Sequence, residues 1–344
     1  MSSLKLAATA AKLFLPESVV RHLPSTTRPE VDGRMIDAKA HVLSEFAVLV
    51  RGDGVINNVA KAREDMVTLT KLLDTACPRS VQKTDIALPG AAGDRPTRLY
   101  TPKGWTAGTL LYLHGGGWVQ GNVDTHDGLC GDLAEMSGLR VLSYEYRLAP
   151  EHPFPAAPDD VLACYTALIS PDHPFHCPVH DLIVGGDSAG ANLTAALMHD
   201  LAEREMPMPK GQLLIYPAVD ARLSTRSMQA LAMQPLLPRT RIDWFLDQYL
   251  PPGQDRLVPR VSPLFSPYLS EQPPAMIIAA GHDPLWDDAQ SYSQRLTDSV
   301  VVNFPGQVHA FMSVGKIIPQ CRAARKTTAR WMQQILAGSS PKRP

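Results

Sequence analysis

LIVGGDSAGANLTAALMHDLAE, residues 182–203, changes character at its middle. Leu182–Gly185 is a short apolar run of strand type, and Ala189–Glu203 follows as a helix. Between them stands Gly186-Asp187-Ser188-Ala189-Gly190, a G-x-S-x-G sequence. A serine on so sharp a strand-to-helix turn projects its hydroxyl above the sheet edge, and the flanking glycines relieve the crowding. It also stands at a helix N-terminus, where unpaired N–H groups and the helix dipole favour developing negative charge. The competing reading is a glycine-rich turn with an incidental serine. That reading does not account for the strand before it or the helix after it.

The same alternation extends in both directions. Upstream lie a hairpin-like pair, Val81–Leu88 and Arg98–Thr101, then strands at Thr109–Leu113 and Val141–Tyr146 and a helix over Pro158–Ile169. Downstream, strands are expected at Leu213–Tyr216, Met276–Ala280 and Val300–Phe304, with helices at Leu285–Ser299 and Gln320–Leu336. This alternation implies an α/β fold, a mostly parallel central sheet with helices on both faces. Ligands of such sheets bind beyond the carboxyl ends of the strands.

Two pieces fall outside the alternation. Residues 1–78 read as helical near 2–15, 30–50 and 57–76, and the insertion 219–272 contains one good helical stretch, Thr240–Leu250. The expected organisation is a catalytic domain of residues 79–218 and 273–344, with 1–78 and 219–272 forming a helical cap over the strand ends.

Composition narrows the function. The chain has 344 residues, 44% hydrophobic and 19% charged, with 33 basic residues against 34 acidic. Neither nucleic acid nor an acidic membrane surface is indicated as a partner. Five scattered cysteines, without a CxxC pair, argue against a disulfide framework and for a reducing, cytoplasmic setting. Leu4–Leu15 reads as an amphipathic helix rather than an export signal, because Lys12 interrupts its apolar run and Pro16 follows. No apolar run approaches the ~20 residues needed to span a bilayer, so no stable membrane insertion is expected.

A second motif, His114-Gly115-Gly116-Gly117, directly follows the strand Thr109–Leu113. Consecutive glycines let the backbone approach a ligand and point N–H groups inward, as stabilising a tetrahedral oxyanion requires. Alone, it reads as a flexible loop. His114 itself reads as a structural hydrogen-bonding residue rather than a base.

Together HGGGW (114–118), YRLAPEHPFPAA (146–157), GDSAGANL (186–193), DPLWDDA (283–289) and the histidine of GQVHAF (306–311) resemble the hormone-sensitive-lipase-like (bacterial family IV) α/β-hydrolases. The motifs fall in the family's order over about residues 80–335, and VDGRMID (31–37) is similar to the lead-in of bacterial members. The resemblance implies hydrolysis of carboxylic esters with short to medium acyl chains, without a cofactor. It implies Ser188 as nucleophile, Asp283 as acid, His309 as base, and Gly116, Gly117 and Ala189 as oxyanion donors. One departure is Ala310, where many members have glycine after the histidine.

The residues read by themselves agree. The order Ser, Asp, His suits this fold, and Asp283 and His309 each follow a strand, on the rim that carries Ser188. The rivals are Asp220, Asp287 and Asp288 for the acid and His282 for the base. Trp118 is expected to wall the substrate pocket, and Arg147 and Glu151 to pair and brace the glycine loop. The cluster Asp172, His173, His176, Cys177 and His180 has the density of a metal site. Its prolines forbid a helix presenting ligands on one face, so it reads as a polar surface loop and no metal is expected.

Two alternatives stay open: an amidase such as an arylformamidase or arylacetamide deacetylase, with the same triad, and a non-catalytic receptor resembling the gibberellin receptors, which lack the histidine. The expected partner is a small-molecule ester; a homodimer is left open.

Overall fold

The protein is described by a computed structural model covering residues 3–23, 28–51 and 58–338. Strands β5 (Thr109–Leu113), β7 (Leu182–Asp187), β8 (Gly211–Ile215) and β9 (Ala275–His282) are buried at every residue. That is the condition of strands covered on both faces. With β3 (Val81–Leu88), β4 (Arg95–Pro102), β6 (Arg140–Tyr144) and β10 (Ser299–Val308) they form one eight-stranded sheet, in the order β10-β9-β8-β7-β5-β6-β4-β3. β4 runs antiparallel to both its neighbours, and every other pair is parallel.

Alternate residues of these strands face different helices. Leu110, Tyr112, Ile183, Leu213 and Ile278 pack with α5 (Asp127–Ser137) and α11 (Pro319–Leu336). Leu111, Leu113 and Val184 pack with α6 (Ala156–Ile169) and α7 (Ala189–Glu203). Leu214 and Ile277 pack with α7 and α10 (Trp286–Arg295). In register, Leu113 lies beside Gly186, Asp187 beside Ile215 and Ile215 beside Ile278. The loops that follow these strands therefore leave the sheet along one rim.

Before the sheet come α1 (Ser3–Phe14), the single turn α2 (Glu17–Val20), a ribbon of β1 (Glu30–Val31) and β2 (Arg34–Met35), α3 (Ala38–Arg51) and α4 (Val59–Leu73). The insertion holds α8 (Arg226–Ala230) and α9 (Arg239–Tyr249). No helix among the described residues is long and apolar enough to cross a membrane.

Some expected boundaries move for physical reasons. The start of the helix expected at 30–50 is a hairpin instead, turning through Asp32 and Gly33 at positive φ. Helix α5 was not expected, because Gly128 and Gly131 weaken its pattern. Both lie against the 74–78 segment, where a Cβ at Gly131 would stand 2.5 Å from Cys77 Sγ. The helix expected at Leu285–Ser299 ends at Arg295, because Ser299 already pairs with Ala275 in the sheet.

Candidate active site

At the rim, β7 passes into α7 through Ser188, whose φ of 54° and ψ of −115° form a strained turn. Its N–H donates to Ile215 O at 2.8 Å, which anchors the turn to β8. The glycines either side are needed for contact rather than for flexibility. A Cβ at Gly186 or Gly190 would run into the carbonyl of Leu113 at the end of β5. The sequence therefore makes the sharp turn, and the turn raises the serine hydroxyl off the sheet.

Asp283 and His309 follow the ends of β9 and β10, the next two strands beyond β8, on the same rim. The His309 Nε2 lies 3.0 Å from Ser188 Oγ, and Nδ1 lies 2.7 Å from Asp283 Oδ2. Asp283 is 1% exposed, and its other oxygen accepts the Leu285 N–H at 2.9 Å. With Nδ1 donating to that carboxylate, Nε2 faces the serine as an acceptor.

His114–Trp118 curl beside Ser188. Gly116 and Gly117 have φ of 126° and 62°, a backbone that suits glycine. Gly116, Gly117, Trp118, Ser188, Ala189 and His309 share one cavity of about 840 Å³. The α3 residues Leu43 and Phe46, α4 residues Met66 and Leu69, and insertion residues Ile242, Phe245 and Leu246 also line it. Trp118 stacks on Tyr249 with ring centroids 4.5 Å apart. Among the described residues, none of helix α1 lines the cavity; α1 packs on α3, with Lys39 Nζ donating to Leu13 O and Leu15 O.

Several site-building residues escaped the sequence reading. Asp187, the second residue of G-x-S-x-G, accepts from Tyr112 Oη at 2.7 Å and from the Gly115 N–H at 2.8 Å, and lies 3.1 Å from His126 Nε2. Burial alone would raise its carboxyl, but His126 and these donors outweigh burial and hold it below the usual value. It thus joins the serine turn to the glycine loop. The ribbon residue Arg34 donates to Gly281 O at 3.0 Å, and its own carbonyl lies 2.8 Å from His282 Nε2. Asp37 accepts from Gln307 at 2.6 Å and its N–H donates to Gly306 O. The VDGRMID lead-in therefore braces both loops that carry Asp283 and His309. Only the long-range packing reveals this.

The rivals are occupied elsewhere. Asp220 pairs with Arg222 at 2.7 Å, Asp287 accepts the Ser227 N–H, and Asp288 accepts the N–H groups of Val219 and Asp220. His282 turns to the ribbon. His114 hydrogen-bonds Gly115 O, stacks on Tyr146 and is held down to about 4 by burial, so it stays neutral. The expected Arg147–Glu151 pair does not form. Arg147 grips the buried Asp160 at 2.8 Å, and Glu151 pairs with Arg63 of α4 at 2.7 Å, a partner too distant in sequence to foresee. In the Asp172–His180 loop, Cys177 is buried against Arg140 and Thr109, at the amino end of β5. The group of metal-capable side chains that does converge among the described residues is His199, Asp200 and Glu203, within 4.8 Å. There Arg260 already holds Asp200 at 3.0 Å.

A family model described as the alpha/beta hydrolase fold matches residues 110–313. The chain belongs to the hormone-sensitive-lipase-like family of α/β-hydrolases and is a carboxylic ester hydrolase. It is 38% identical to the carboxylic ester hydrolase LipN of Mycobacterium tuberculosis, over 82% of this chain and 77% of that one. It is 37% identical to the ethyl acetate hydrolase of Pseudomonas putida, over 70% and 79%. A solved ester hydrolase from the metagenome of Lake Arreo superposes with a TM-score of 0.84 at 33% identity, covering 88% of this chain and all of that one.

Proposed function

We propose that the chain hydrolyses small carboxylic esters through an acyl-enzyme on Ser188. The supporting observation is the chain of contacts Ser188 Oγ, His309 Nε2, His309 Nδ1, Asp283 Oδ2, at 3.0 and 2.7 Å. His309 takes the Ser188 proton as the oxygen attacks the ester carbonyl. Asp283 holds the imidazole tautomer and stabilises its cation. The Gly116, Gly117 and Ala189 N–H groups, the last in the first turn of α7, receive the oxyanion. The proton on His309 passes to the leaving alcohol; a water activated by the same histidine then releases the acid.

Residues 1–78 and 219–272 act as a cap on the catalytic domain. The cavity walls they supply are mainly apolar, which favours acyl chains of about four to eight carbons at roughly 0.8 kcal/mol per methylene buried. The test is a phosphonate or sulfonyl fluoride probe read by intact mass and peptide mapping. One adduct per chain, on Ser188, is expected. Ser188→Ala and His309→Ala should abolish turnover in a folded protein, and Asp283→Asn should slow it by up to ~10⁴. Labelling at another serine would overturn the assignment.

A further inference from the structure

Helix α4 presents two faces. Met66, Leu69 and Leu73 line the substrate cavity, while Arg63 points to the outer side of the glycine loop. The Arg63 guanidinium is spent on backbone and acid together. Its Nε donates to Val119 O at 2.8 Å and Nη2 to Ala149 O at 3.0 Å. Nη1 and Nη2 reach the two oxygens of Glu151 at 2.9 and 2.7 Å. Both carbonyls belong to the frame of the oxyanion loop. The Val119 and Gln120 N–H groups close the turn onto Gly116 O at 3.2 and 3.0 Å, and Ala149 N–H donates to Trp118 O at 2.9 Å. A shift of Val119 or Trp118 therefore moves the Gly116 and Gly117 amides, which directly precede them in the loop and are tied to them through Gly116 O.

We propose that Arg63 is a positioning residue through which the docking of cap helix α4 sets the geometry of the oxyanion donors. This rests on the proposed roles of Ser188, Gly116 and Gly117. The substrate-facing and loop-holding sides of α4 are one rigid element, so a substrate that seats α4 also seats the loop. Lysine cannot replace Arg63, since a single ammonium lacks the fork that serves two carbonyls and a carboxylate at once. Glu151 is the lesser part of the arrangement. It is 54% exposed at its side chain, and removing its charge leaves both carbonyl bonds intact.

The experiment uses the full chain and three variants, Arg63→Ala, Arg63→Lys and Glu151→Gln, each checked by circular dichroism and a thermal melt. Three quantities are read: kcat and KM on p-nitrophenyl butyrate, and the rate at which a p-nitrophenyl alkylphosphonate modifies the nucleophile. Phosphonylation also places charge on an oxygen in the oxyanion site, so it follows that geometry independently of turnover. Arg63→Ala and Arg63→Lys should lower kcat and the phosphonylation rate in parallel, by roughly ten- to a hundredfold, as an ångström-scale misplacement does. KM should change less than threefold, and Glu151→Gln should stay within about threefold of wild type in all three. Millimolar methylguanidinium should restore part of the kcat of Arg63→Ala, and ammonium should not. Should Arg63→Ala not fold, Arg63→Lys decides. Undiminished phosphonylation in a folded Arg63 variant, or equal losses in Glu151→Gln and Arg63→Lys, would overturn the proposal. Failure of the wild-type protein to label at Ser188 would instead overturn the catalytic assignment beneath it.

Discussion

Replacing Gly117 by alanine separates the amide proposed to receive the oxyanion from the packing that holds it. The glycine has φ of 62°, and a Cβ built on it falls within 2.5 Å of three ring carbons of Phe245 from α9. Two costs follow. An alanine held in the left-handed region costs about 1–2 kcal/mol, and no methyl fits beside the ring unless the ring or the loop moves. Phe245 is 6% exposed and packed among the α9 residues Ile242, Leu246 and Tyr249, so much of the movement falls on the loop. If the Gly117 N–H leaves its place, the loss of one oxyanion donor lowers kcat by about 10²–10³. The expected result is a fall of this size with KM nearly unchanged, measured on p-nitrophenyl butyrate. The double variant Gly117→Ala/Phe245→Ala removes the clash and keeps the backbone strain. It should recover at least tenfold in kcat, about 1.4 kcal/mol, although emptying the Phe245 site costs about 3–5 kcal/mol of stability. Assays therefore run well below the melting temperature of each protein. A folded Gly117→Ala enzyme with wild-type kcat would show that this amide does not carry the oxyanion. A double variant no better than the single would show that Phe245 does not press on the loop.

Other expectations rest on separate parts of the molecule. Burial pushes the Asp288 carboxyl well above its ordinary value, more than the N–H groups of Val219 and Asp220 pull it down. The folded chain thus keeps this proton where the unfolded chain has lost it, and stability falls as pH rises above about 4 toward the raised pKa. Asp288→Asn keeps an acceptor for those N–H groups and should flatten this slope, raising Tm at pH 8 more than at pH 4; an unchanged pH dependence of Tm would refute it. Ala310 sits at φ 62°, ψ 18° and lines the cavity. In Ala310→Gly the relief of about 1 kcal/mol is offset by glycine's entropy of about 0.5–1 kcal/mol. Tm should then move little, while activity rises on esters with branched acyl groups; a large drop in Tm would contradict this. A chain lacking residues 1–30 should keep its chain-length profile better than Leu69→Ala or Phe46→Ala, since α1 braces α3 while Leu69 and Phe46 line the cavity. A profile altered equally by all three would place α1 at the substrate after all.

What the sequence disclosed and what it hid follow one physical division. The sheet was legible because strands buried on both faces read as nearly continuous apolar runs, as Leu110–Leu113 of β5 and Met276–Ala280 of β9 do. The elbow was legible because G-x-S-x-G between such a strand and a helix has few other uses. Helix α5 was hidden because its own glycines argue against a helix. Those glycines answer to Thr75 and Cys77, about fifty residues earlier, which no local pattern can register. The hairpin at Glu30–Met35 was hidden by a neighbouring helical signal, although Asp32-Gly33 is a turn dipeptide that marks it.

At the site, side chains placed by chain direction alone were readable, because any residue just after a parallel strand arrives at the same rim. Asp283, His309 and Ser188 all belong to that group. Residues that hold the site were not readable, because each acts through a partner remote in sequence: Asp187 on Gly115, Arg34 on Gly281, Arg63 on Val119. The misread Arg147–Glu151 pair shows the reason. Four residues apart, two opposite charges look like natural partners, but a buried carboxylate such as Asp160 has a far stronger need for a cation than an exposed Glu151 has. Arg147 satisfies the buried group, and Glu151 is left for an arginine from the cap. The burial of Asp160 in α6 thus leaves Glu151, on the outer side of the glycine loop, for Arg63 of α4 to grip.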